Sequence, residues 1–129
     1  SLLRGAPDHV KALGWVEGEQ RDSLFMDSGC LLLPSKWEGL SMVVLEAMAH
    51  GLPVLASEAS SGVFNDAGNI IHSSDPNVWA NAMQELIAND EIWSRMAASG
   101  PAEVEPYNIN TIQQQWGRVY AETIERCGK

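Results

Sequence analysis

Apolar positions follow two rhythms along this chain. In the first half they form short unbroken runs, and in the second half they recur every three to four residues. Short runs bounded by Gly, Pro and Ser mark strands buried in a sheet, while the longer spacing marks one face of a helix. His9 to Val16, ending in Ala12-Leu13-Gly14-Trp15-Val16, predicts a first strand. Glu19 to Ser28 predicts a short helix around Leu24, Phe25 and Met26, stopped by Gly29. Cys30-Leu31-Leu32-Leu33 predicts a strand covered on both faces and ended by Pro34 and Ser35. A second helix is expected from Met42 to His50, closed by Gly51. Strands are expected at Pro53 to Ser57 and, shorter, at Asn69 to His72.

Beyond that point the rhythm is helical. Asp75-Pro76 reads as a cap followed by proline at the first helical position, and Val78, Trp79, Ala82, Met83, Leu86 and Ile87 share one face. A further helix runs from Asp90 to Ser99 and is expected to end at Gly100-Pro101. The last is expected to start at Asn110, with Gln113 placed for a capping box, and to bury Ile112, Trp116, Val119, Tyr120 and Ile124. Alternating strands and helices predict an α/β fold with a parallel sheet, followed by a helical C-terminal third. Ligands in such sheets bind at the carboxyl ends of the strands. The rim would then be Ser35-Lys36-Trp37-Glu38-Gly39 together with Ser57-Glu58-Ala59-Ser60.

Composition narrows the function classes. At 129 residues there is enough chain for one domain with a real core. A net charge of −9 with eight scattered basic residues sets nucleic acid aside, because neutralising phosphates needs clustered Lys and Arg. The two cysteines, Cys30 and Cys127, match neither a disulfide framework nor a metal site, and fit a reducing, cytoplasmic compartment. No run reaches the length of a membrane span and no signal segment is visible. Peripheral membrane contact of a longer protein stays open. The first residue is not methionine, which suggests a piece of such a protein.

Glu46 is the odd residue. It lies inside Met42-Val43-Val44-Leu45-Glu46-Ala47-Met48-Ala49, and its helical neighbours are Met42, Val43, Ala49 and His50. A carboxylate in a largely buried helix is costly unless something bonds it, and no Arg or Lys lies within helical reach. Either it pairs with a loop or a distant cation, or it is held for a ligand diol, which an acceptor-only group suits. Glu38 precedes Gly39-Leu40-Ser41, where the helix begins and free N–H groups favour a phosphate or sugar hydroxyl. The plain alternative is that Ser41 caps the helix and Glu38 complements its dipole. Gly39 leaves room for close approach of a ligand.

The stretch from Pro34 to Val54 resembles the signature of glycosyltransferase family 4, the glycosyl transferases group 1. In that signature two glutamates, here Glu38 and Glu46, stand within a pattern like P-S-x-x-E-G-x-x-x-x-x-L-E-A-M-A-x-G-x-P-V, and every fixed position is met. Leu13 to Val16, Ala67 to Ile71 with Asp75-Pro76, and Tyr107 to Ile124 resemble further segments of the family more loosely. The resemblance implies a partial Rossmann-like parallel sheet with flanking helices, the second half of the C-terminal domain of a GT-B enzyme. Residues 1–129 would then be a single nucleotide-sugar-binding piece, with the N-terminal acceptor domain and the first two strands of the donor domain missing.

The same resemblance implies roles by position. Glu46 would bind the donor ribose hydroxyls, and Glu38 would lie near the donor sugar and reacting centre. Backbone N–H groups of Gly39, Leu40 and Ser41 would meet the sugar and phosphate, and Trp37 would line the donor pocket. The loop after Val16 would sit near the base. The family needs no metal or other cofactor, because a basic pair stabilises the leaving diphosphate, and that pair lies upstream of this chain. The loop from Glu58 to Phe64 is shorter than the family's usual Gly-Gly stretch, leaving Ser60, Ser61 and Gly62 beside the donor site. The expected activity of the parent is hexosyl transfer from a nucleoside-diphosphate-sugar to an acceptor hydroxyl, with retention, the piece alone being inactive.

Two rivals stand beside this expectation: a non-catalytic nucleotide-binding or interaction module, and a GT-B sugar-nucleotide epimerase. His9, His50 and His72 form no cluster, and His50 reads as a dipole-complementing residue at a helix end. Trp79, Trp93 and Trp116 sit on apolar helix faces and are expected in the core. The chain has no G-x-G-x-x-G turn and no nucleophile elbow, which disfavours a dehydrogenase and a serine hydrolase.

Overall fold

A computed structural model describes residues 5–127. Three short strands form one parallel sheet in the order β1-β2-β3: Leu31–Leu33, Val54–Ser57 and Gly68–Ile71. Leu31 pairs with Val54 and Leu33 with Ala56, while Val54 pairs with Gly68 and Ser57 with Ile71. The helices are α1 (Gly18–Asp27), α2 (Met42–Ala49), α3 (Pro76–Ala88), α4 (Asp90–Val104) and α5 (Ile109–Cys127). The expected α/β class, parallel sheet and helical C-terminal portion are all present.

Strand β2 is central and shows why its sequence has no polar alternation. Val54 and Ala56 face one layer, built from Val44, Ala47 and Met48 of α2 with Leu52, Val63, Phe64 and Ala67. Leu55 faces the other layer, with Leu86 of α3 and Met96 of α4. Successive side chains of a strand point to opposite faces, so both faces being covered demands an unbroken apolar run. Helix α2 ends as its sequence predicts. Gly51 takes φ +68°, and its N–H and that of Leu52 return to the Met48 and Ala47 carbonyls, each at 2.9 Å. Asp75 accepts the Asn77 N–H at 2.8 Å and Pro76 opens α3.

Four expectations are corrected. His9 to Val16 forms no strand, and Trp15 and Leu13 lie exposed. A strand needs a laddered neighbour for its backbone groups, and among the described residues β1 pairs only with β2. For the same reason β1 is an edge strand, with Leu32 exposed rather than covered on both faces.

Helix α4 does not stop at Gly100-Pro101 but runs through both to Val104. A Cβ on Gly100 would lie 2.5 Å from the Met48 carbonyl oxygen, so this glycine permits a close crossing of α2 rather than ending a helix. Pro101 offers no N–H to the Ala97 carbonyl. That oxygen lies on the Gly51 side, 3.2 Å from where a Gly51 Cβ would stand.

Finally, α5 starts at Ile109, and the Asn108 side chain, not a box between Asn110 and Gln113, accepts the Asn110 N–H at 2.9 Å. No residue of α5 is buried; Trp116, Val119, Tyr120 and Ile124 are all exposed. The amphipathic stripe exists, but no other part of the described chain covers it. Trp116 is therefore not a core residue, whereas Trp79 and Trp93 are half-buried against the Leu55 layer.

Candidate functional site

The carboxyl ends of the strands carry the loops that matter. The loop after β1 and the loop after β2 are tied together by the Ser57 hydroxyl, which donates to the Ser35 carbonyl. The Ser35 hydroxyl in turn donates to Glu38 Oε1 at 2.7 Å. Glu38 is exposed, its carboxylate bonded back onto its own loop. Trp37 is 90% exposed and Leu40 is exposed. A side chain on Gly39 would meet nothing within 4 Å, so its backbone faces open space.

Ser41 occupies the N-cap position of α2 in an extended conformation and is buried, yet its hydroxyl makes no capping bond. The Ser41 carbonyl accepts from Leu45 N–H at 3.2 Å, opening the helical ladder. The N–H groups of the first turn therefore keep no intrahelical partner and no side-chain cap.

Glu46 is half-buried rather than sealed in, and the distant cation of the first alternative is present: Arg21 Nη1 of α1 donates to Glu46 Oε1 at 2.9 Å. Helical-neighbour counting could not find Arg21, which arrives from another helix 25 positions earlier. Arg21 is itself held by Asp22 Oδ1, at 3.0 Å from Nη2 and 3.2 Å from Nε. His50 closes the arrangement, its Nδ1 donating to the Glu46 carbonyl at 2.8 Å and its ring 5.2 Å from that of Phe25. Its place at the helix end is as expected, bonded to a last-turn carbonyl.

These residues do not converge on one hollow. Glu46 borders a groove of about 230 Å³ with Met42, Leu45, Ala49, Tyr107 and Asn108. A wider cleft of about 670 Å³ lies across the strand ends, lined among others by Ser35, Lys36, Ser57, Glu58, His72 and Trp79. Trp37, Glu38, Gly39 and Leu40 stand outside both. A third hollow of about 290 Å³, between Asp66, Asn69, Glu85 and Arg95, opens near the amino end of β3, away from the motif loop. Ser60 is buried with its hydroxyl unpartnered, while Ser61 and Gly62 are exposed.

The cleft joins the rim residue Glu58 to His72 and Trp79, which the strand-end reading leaves out. His72 Nδ1 lies 3.9 Å from Glu58 Oε2, and the Trp79 indole donates to the Ser73 carbonyl at 2.7 Å. His72 directly follows β3, and that position was the available signal, since strand ends are where ligands sit. Among the described residues no group of three His, Cys, Asp or Glu side chains is placed to hold a metal ion. No described helix is long and apolar enough to cross a membrane.

Comparison with known proteins adds the lineage. Residues 1–89 match the family model described as Glycosyl transferases group 1. The chain is 30% identical to a phosphatidyl-myo-inositol mannosyltransferase of Mycobacterium leprae, over 99% of this chain and 35% of that protein. It is 31% identical to O-antigen chain mannosyltransferase B of Escherichia coli, over 86% of this chain and 30% of that protein. Its fold matches sucrose-phosphate synthase of Thermosynechococcus elongatus with a TM-score of 0.70 and 27% identity, covering 79% of this chain and 27% of that one. The chain thus spans about a third of the length of these relatives. Its parallel sheet with flanking helices is that of a GT-B C-terminal domain. With the Pro34–Val54 signature seated at the strand ends and the family model matching most of its length, the chain belongs to the glycosyl transferases group 1 family.

Proposed function

We propose that this chain is the donor-binding part of a retaining glycosyltransferase. The parent protein would move a hexosyl group from a nucleoside-diphosphate-sugar to an acceptor hydroxyl. The observation that carries this reading is the seating of the motif. Its loop occupies a strand carboxyl end, its helix start has uncapped N–H groups, and among the described residues Glu46 is engaged through Oε1 alone. Two relatives bear the name mannosyltransferase, which supports a hexosyl donor.

In this reading Glu46 accepts donor ribose hydroxyls, and Gly39, Leu40 and Ser41 offer backbone N–H groups to the phosphate and sugar. Glu38 stands beside the donor sugar, released from Ser35 when a ligand enters, and Trp37 closes over the donor. The transition state is oxocarbenium-like, with the departing phosphate beside the incoming hydroxyl. Charge on the leaving diphosphate is met by fixed cations, without a metal, supplied by a basic pair outside these residues. Acceptor recognition belongs to a second domain of the longer protein. The unpaired Cys30 and Cys127 support a reducing, cytoplasmic setting.

Calorimetry with UDP, GDP and ADP tests the donor site. One of the three should bind the chain, and Glu46→Ala should weaken it about ten-fold, as expected for losing hydrogen bonds to a charged acceptor. No binding by any of them, or equal binding by the variant, would return the chain to the non-catalytic reading. Transfer itself is expected of the whole protein and not of the 129-residue chain alone.

A further inference from the structure

We propose that Arg21 is a positioning residue that aims the Glu46 carboxylate at a ligand hydroxyl. The inference rests on the reading of Glu46 as the ribose acceptor and adds a residue that lies outside the Pro34–Val54 signature. A glutamate side chain on a helix surface is free to sweep, and ordering it costs side-chain entropy at the moment of binding. Here that freedom is already spent. Arg21 Nη1 holds Glu46 Oε1 at 2.9 Å, and the guanidinium is itself braced through Nη2 and Nε on Asp22 Oδ1.

The brace is fixed at its far end as well. His50 Nε2 lies 4.0 Å from Asp22 Oδ1, while the same ring donates through Nδ1 to the Glu46 carbonyl and packs beside the buried Phe25. Glu46 is thus located through its side chain and through its main chain by one connected set of groups from α1 and α2. Arg21 engages one carboxylate oxygen. An ionised carboxylate offers about four lone-pair sites, so Oε2 remains an acceptor. Glu46 lines the groove that Tyr107 and Asn108 also border, which gives an incoming polyol further polar neighbours.

Magnitude decides between this role and a purely structural one. Arg21 and Glu46 are 37% and 33% exposed, and a pair so open to water contributes little to folding. Its consequence is orientation, in the way that outer hydrogen bonds orient metal ligands.

The test uses whichever of UDP, GDP and ADP binds the wild-type chain, together with its 2′,3′-dideoxy form. Arg21→Met should weaken the ribose form about ten-fold and leave the dideoxy form unchanged. In a Glu46→Gln background the same substitution should have no effect. Arg21→Lys, which keeps the charge but loses the planar fork, serves if Arg21→Met does not fold, and should shift the ribose form in the same direction by less. Equal weakening of both forms would mean general damage, and unchanged or tighter binding would mean that Arg21 is idle or a block; each overturns the proposal. Binding that depends on Glu46 but not on Arg21 sinks this inference alone, whereas no binding by the wild type sinks the donor-site reading with it.

Discussion

Helices α2 and α5 both announce themselves by apolar patterning, yet they end in opposite environments. In α2, Val44, Ala47 and Met48 are fully buried between the sheet and α4. In α5 the stripe through Trp116, Val119, Tyr120 and Ile124 is exposed along its length, with the Trp116 and Tyr120 rings 5.7 Å apart. Periodicity reports that a face exists. It does not report that this chain supplies what covers it.

The contrast makes a graded set of expectations. Met48→Ala should be the most damaging, costing about 2–5 kcal/mol in urea unfolding, because a fully packed side chain leaves a cavity in the layer it shares with Val54 and Ala56. Glu103→Gln comes next, at about 1–3 kcal/mol. Its carboxylate collects the N–H groups of Asn65, Asp66 and Ala67, and so pins α4 to the segment entering β3. Differential alkylation compares a covered cysteine with one on the open helix α5. Cys30, half-buried at the start of β1, has its thiol pKa raised by burial. At pH 8 its thiolate fraction is therefore reduced, and it should react with iodoacetamide about ten-fold more slowly than the exposed Cys127. Trp116→Ala should be the mildest, within about 0.5 kcal/mol, since the indole is more than half exposed beside Tyr120. A loss as large as that of Met48→Ala would show that α5 is covered in solution.

Much of the fold was legible in the residues. The runs at Cys30–Leu33 and Pro53–Ser57, the Gly51 stop and the Asp75-Pro76 start are local devices, and local devices act wherever they occur. Misreadings arose where the outcome depended on a partner. Gly100-Pro101 carries the ordinary signal for a helix end, but the close passage of Met48 uses that glycine for contact instead. The run before Val16 has strand composition, but a strand without a neighbour has nowhere to place its backbone hydrogen bonds.

The candidate site divides along the same line. Its motif, from Pro34 to Val54, is contiguous, and the family was readable from it without coordinates. Local chemistry placed Glu38 and Ser41 at a helix start, because capping and turn preferences are properties of neighbouring residues. Only the packed molecule disclosed Arg21 beside Glu46, the Ser57–Ser35 link between two loops, and Glu58 with His72 across the strand ends. Those pairs join residues 14 to 25 positions apart or on different elements. Their meeting depends on how strands order themselves and how α1 lies on α2, which no spacing along the chain records. Sequence, then, determined the elements and the lineage through short-range conformational preference, and tertiary packing decided which carboxylate has a cation and which apolar face has a cover.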